Sequence, residues 1–133
     1  MKIAIVGSRK YENKRKIKEF IFKLHERFGD ELTIVSGGCR DGADKYAKKY
    51  ALEFGISYTE YPPAHHNYNL YCVLPESCYS KMYHPSNYHM RNKMIAKSSN
   101  CVVGFIPKGV ESSGTDSTIK YAHKFDKKVV VLN

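Results

Sequence analysis

The stretch Thr33-Ile-Val-Ser-Gly-Gly-Cys-Arg-Asp-Gly-Ala-Asp44 sets a short apolar run against a glycine pair and then restarts at Gly42 with helical spacing. An apolar run that ends on glycines and re-enters as a helix is a strand-to-helix turn. Gly37 and Gly38 remove Cβ where the backbone must reverse and where a ligand would approach the main chain. The first amides of the helix that follows have no intrahelical partner and carry partial positive charge, which suits an anion such as pyrophosphate. A Gly-Gly turn alone is weak evidence, so the remaining chain must decide.

Outward from this turn, strand and helix patterns alternate. Lys2 to Val6 is a β-branched run stopped by Gly7-Ser8-Arg9. Asn13 is placed to cap a helix in which Ile17, Phe20, Ile21, Leu24 and Phe28 recur at helical spacing before Gly29. Leu32 to Val35 forms the second strand; Ala43, Ala47, Tyr50, Ala51 and Phe54 mark a second helix closed by Gly55. Ile56 to Tyr61 is the third strand, His89 to Lys97 a third helix and Cys101 to Ile106 a fourth strand. A second Gly/Ser-rich loop, Pro107 to Thr115, opens a fourth helix with Ile119, Ala122 and Phe125 inward, and Val129 to Leu132 ends the chain as a strand.

Such alternation predicts an α/β, Rossmann-like, doubly wound parallel sheet of about five strands, in the order 3-2-1-4-5, with helices on both faces. Ligands then bind beyond the carboxyl ends of the strands where the order reverses, between the first and fourth. Three loops converge there: Gly7-Ser8-Arg9, Ser36-Gly37-Gly38 and Ser112 to Thr115.

At 133 residues with 42% apolar composition, one domain covering 1–133 is expected. No apolar run reaches the roughly 18 residues of a membrane span, and the N-terminal run is too short for a signal peptide, so a cytoplasmic location is expected. Cys39, Cys72, Cys78 and Cys101 form no C-x-x-C pair, which predicts reduced thiols; no metal or cofactor is implied. Twenty-two Lys and Arg against thirteen Asp and Glu give a formal charge of +9, which favours anionic partners. The basic residues are scattered, so many serve as solvated helix faces.

Residues 62–88 lack any period and hold Tyr68, Tyr71, Tyr79, Tyr83 and Tyr88 with His65, His66 and His84. A long irregular segment of this kind is functional or mobile. It offers either a lid that stacks on a base or a surface for another subunit, self-association included.

Val6-Gly-Ser-Arg9, Ser36 to Asp44, Arg91-Asn-Lys-Met94 and Gly114-Thr115 together resemble the SLOG superfamily of Rossmann-like nucleotide-ligand domains, and within it the YspA-like, YpsA-related branch. The resemblance implies binding of a nucleotide or nucleotide-derived signal, ADP-ribose-like or cyclic, as sensor or sequestering protein. The implied contacts are Gly7, Ser8, Arg9, Ser36, Gly37, Gly38, Asp44, Arg91, Asn92, Gly114 and Thr115. For Asp44, helix capping and ribose binding are both open. The superfamily also holds the LOG phosphoribohydrolases and the DNA loader DprA. A LOG-like reaction would use Arg91, but Thr118 stands where those enzymes carry a glutamate. Asp116 and Glu111 are the carboxylates available instead, which makes a nucleotide N-glycosidase or phosphodiester-splitting enzyme the second reading. Binding of single-stranded nucleic acid, through charge and tyrosines, is the third.

Overall fold

A computed structural model describes residues 1–133. β1 (Lys2–Gly7), β2 (Thr33–Ser36), β3 (Ser57–Glu60), β4 (Cys101–Phe105) and β5 (Lys128–Leu132) form one sheet in the order β3-β2-β1-β4-β5, every neighbouring pair parallel. The expected strand order is the observed one. α1 (Lys14–Phe28) and α2 (Gly42–Glu53) follow β1 and β2, whereas α3 (Ser86–Ser98) and α4 (Ser113–Lys124) follow β3 and β4.

Alternation along the central strands feeds two cores. Ile3, Ile5, Ile34, Val103 and Phe105 pack with Ile17 and Ile21 of α1 and Ala43, Ala47 and Ala51 of α2. The intervening residues Ala4, Val6, Val35 and Val102 meet Ile95 and Ala96 of α3 and Ala122 of α4. Each fully buried Ile or Phe contributes about 1.5–3 kcal/mol relative to exposure. Asn13 caps α1 as expected, its side chain accepting from the Lys16 amide at 3.3 Å. No helix is long and apolar enough to cross a membrane, and all four cysteines are free thiols.

The segment after β3 is shorter than expected, because α3 begins at Ser86 rather than His89. Pro85 occupies the position before its first turn and fixes φ at −56°, a helix-compatible value that periodicity alone does not register. Tyr88 therefore belongs to a helix. The rest of the segment is tied down: the Glu60 amide donates to Tyr71 O at 2.9 Å and the Val73 amide to Glu60 O at 3.3 Å, extending the sheet past its β3 edge by one bridge.

Candidate functional site

Gly7 ends β1 directly beneath α2, and a Cβ there would overlap the Phe105 carbonyl and lie 2.6 Å from Ala43 Cβ. The Ser8 carbonyl then accepts from both Tyr11 N (3.1 Å) and Ala43 N (3.2 Å), while its hydroxyl accepts from Lys10 N at 3.1 Å. The backbone thus turns inward, and Arg9 and Lys10 are left exposed at the sheet's carboxyl edge. α2 fits against this loop only because Gly42 has φ +68° and no Cβ; any side chain there would overlap Ser8 O and sit 2.6 Å from Arg9 Cα.

The Ser36-Gly37-Gly38 turn is organised differently from the expected phosphate cradle. The Gly38 amide donates to Ser36 Oγ at 3.2 Å, and the Cys39 amide donates to Asp44 Oδ2 at 3.3 Å. The turn's donors are therefore taken by the chain itself. Ser36 is fully buried, its hydroxyl shared with Tyr58 at 3.1 Å. Gly38 faces Glu60. Asp44 does not cap α2: it is largely buried and its Oδ2 serves the turn. Burial pushes its carboxyl up to about 6, against the Arg91 charge and the Cys39 amide, which pull it down.

Arg91, one turn into α3, crosses to this turn. Its Nη1 donates to Gly37 O at 2.8 Å and its Nε to Asn92 Oδ1 at 2.8 Å, and Asn92 Nδ2 in turn donates to Gly114 O at 3.3 Å. Gly37 is wedged between charges, since a Cβ would lie 2.5 Å from Arg91 Nη1 and 2.8 Å from Asp44 Oδ2. One chain of contacts runs from the β2 turn through α3 to the start of α4.

The start of α4 is open. Its first residues follow Ser112, which makes no side-chain cap; Ser112 Oγ pairs with Thr115 Oγ1 at 2.7 Å instead. The first helix-closing bond is Asp116 N to Ser112 O, so the amides of Ser113, Gly114 and Thr115 have no partner within the helix. These residues line a cavity of about 620 Å³ at the β1/β4 switch point, with Gly7, Ser8, Arg9, Lys10, Gly37, Cys39, Asp44, Tyr88, Arg91, Asn92 and Glu111 also on its wall.

Of the residues picked from sequence, Gly7, Ser8, Arg9, Gly37, Asp44, Arg91, Asn92, Gly114, Thr115 and Glu111 meet on this cavity. Ser36 and Gly38 lie behind it, and Asp116 is exposed outside it, because one residue further along a helix is a rotation of about 100°. Lys10, Cys39, His89 and Thr118 line it without having been expected as contacts, and Tyr88 is the one tyrosine of the expected lid segment that does so. For Lys10, the signal was adjacency to Arg9 in a glycine-broken loop.

A second charged cluster lies behind the site. Glu60 is buried (2% exposed), pairs with Lys48 at 3.1 Å and accepts from Tyr58 OH at 3.1 Å and Asn69 Nδ2 at 2.9 Å. No sequence pattern marked it. The irregular segment's tyrosines are dispersed rather than ranked along one face: Tyr79 is buried, Tyr71 packs on Tyr58, and Tyr83 and Tyr88 gather around His65. No group of three or more His, Cys, Asp or Glu is placed to hold a metal ion.

No curated protein matches the sequence. Among solved structures, the molybdenum cofactor binding protein from the phototrophic bacterium Rippkaea orientalis matches with a TM-score of 0.73 at 19% identity, over 99% of this chain and 76% of that one. The molybdenum cofactor carrier protein of Chlamydomonas reinhardtii matches with a TM-score of 0.67 at 22% identity, over 98% of this chain and 74% of that one. A second structure of a Moco carrier protein from the same alga gives 0.69 at 22% identity, with 98% and 75% coverage. At these identities the likeness is one of fold. Residues 1–68, half of the chain, match the family described as YspA, cpYpsA-related SLOG, and the chain belongs to that family.

Proposed function

We propose that this protein binds a phosphate-bearing small molecule, a nucleotide or nucleotide-derived signal, in the cavity at the β1/β4 edge, and acts by holding it as a sensor or sequestering protein. The observation that carries the reading is the uncapped start of α4 opening into the same cavity as Arg9, Lys10 and Arg91. Partnerless amides at a helix N-terminus beside three cations favour a phosphate group through both hydrogen bonding and charge. Glu111 and Asp44 are the only carboxylates on the wall, so the cation excess remains.

Holding rather than turnover is supported by two features. Arg91 is already committed to Gly37 O and Asn92, which suits a fixed clamp. The solved proteins of similar fold are named for binding or carrying the molybdenum cofactor. A metal-bearing cargo would have to be gripped here by its organic part and charge, given the lack of a metal-ligand cluster.

Isothermal titration against AMP, ADP-ribose, cyclic AMP and pyrophosphate tests the proposal. Micromolar binding of at least one, weakened by salt and cut tenfold or more by Arg91→Ala, is expected. No binding tighter than millimolar to any of them counts against it. Chromatography of the recovered nucleotide separates holding, in which it returns intact, from cleavage, which would be lost in Glu111→Ala.

A further inference from the structure

One part of the cavity lining is not built for charge. Pro85, Tyr88 and His89, at the start of α3, bring an aromatic ring into the same space as Arg9 and the α4 amides. The Tyr88 ring is half-buried and held by its neighbours. His65 meets it at 5.1 Å with planes at 74°, and Tyr83 at 6.4 Å with planes at 71°. His65 is itself fixed, its Nδ1 lying 3.1 Å from Asn87 Nδ2, and Asn87 also donates to Met82 O at 3.3 Å.

Both aromatic braces are edge-to-face. They fix the ring's orientation, yet no aromatic side chain of the protein stacks parallel on Tyr88. The Arg91 guanidinium lies 5.9 Å from the ring centroid, which ties this ring to the arginine that reaches Gly37. A cavity of about 620 Å³ has room for a flat ring in addition to a phosphate.

From this geometry we infer that Tyr88, braced by His65 and Tyr83, is the platform on which a flat heterocycle of the ligand stacks. The inference rests on the proposed function and adds to it the group that recognises the ligand's ring, so that plain phosphates and sugar phosphates bind the same site more weakly than a phosphate-bearing heterocycle. It also gives the irregular segment a task, because residues 65, 83 and 87 orient a ring that α3 alone would leave free to rotate. Stacking of a base on an aromatic side chain is worth about 10- to 100-fold in affinity.

The test compares AMP with ribose 5-phosphate, which keeps the phosphate and sugar and lacks the base, by titration calorimetry on the wild type, Tyr88→Phe, Tyr88→Leu and Tyr88→Ala. Wild type is expected to bind AMP at least tenfold more tightly than ribose 5-phosphate. Tyr88→Ala and Tyr88→Leu should lose about 10- to 100-fold more toward AMP than toward ribose 5-phosphate, while Tyr88→Phe keeps AMP binding within threefold. Tyr88→Leu preserves apolar volume without a ring, so it decides the question should the alanine variant fail to fold. Equal wild-type affinity for the two probes, or equal losses toward both in the variants, overturns the platform and leaves the phosphate site standing. Failure of wild type to bind either probe overturns the platform; the proposed function falls with it only when ADP-ribose, cyclic AMP and pyrophosphate fail to bind as well.

Discussion

Two glycine-containing turns in this molecule look alike as sequence and have opposite fates. At Ser36-Gly37-Gly38, before α2, the amides of Gly38 and Cys39 are taken by Ser36 Oγ and Asp44 Oδ2. At Ser112 to Thr115, before α4, nothing from the chain caps the first amides, and they open on the cavity. The first turn is an anion-binding device already occupied by the protein's own carboxylate; the second is open, and in the proposed function it is the one a ligand fills. Glycine and helix polarity create such a device, and the next buried side chain decides who fills it.

Substitutions at the glycines break this comparison most strongly. Gly42→Ala must place a Cβ at φ +68° against Ser8 O, and a loss of about 3–5 kcal/mol or outright failure to fold is expected in thermal melts. Next comes Asp44. Its folded pKa of about 6 exceeds the ordinary 3.8, so the folded state binds the extra proton and stability falls as pH rises between those values. Urea titrations of wild type and Asp44→Asn should diverge across that window, the wild type losing up to about 3 kcal/mol relative to the variant, with parallel curves above and below it. Gly37→Ala should cost about 2 kcal/mol by prying Arg91 from the turn. Gly114→Ala reverses the sign, because nothing lies within 4 Å of its Cβ position and alanine is the better helix former: a gain of about 0.5–1 kcal/mol is expected. Equal effects at Gly37 and Gly114 would erase the distinction between the turns.

The architecture was legible because β-branched runs ending on glycine, alternating with apolar residues at helical spacing, admit few arrangements, and the observed strand order is that of the doubly wound sheet such alternation suggests. Much of the site was legible for the same reason: topology carries the ends of β1 and β4 and the start of α4 to one place. What was not legible depends on side chains turning inward. Ser36 and Gly38 read as cavity-facing residues and lie behind the cavity, and the Asp44 bond to the Cys39 amide went unseen, since sequence cannot tell a turn that faces solvent from one that swallows a carboxylate. Glu60 read as the end of an ordinary strand because the Lys48, Tyr58 and Asn69 that satisfy it come from three different places in the chain. Tyr88 was grouped with the irregular tyrosines rather than placed on a helix because Pro85 starts α3 earlier than the apolar pattern does.

The most direct measurement is an amide NMR titration of the 15.3 kDa chain with pyrophosphate. Saturable shifts of the Ser113, Gly114 and Thr115 amides, with Gly38 and Cys39 unmoved, are the expected result. Shifts concentrated at Gly38 and Cys39 with the start of α4 silent would contradict the assignment of the open turn to the ligand.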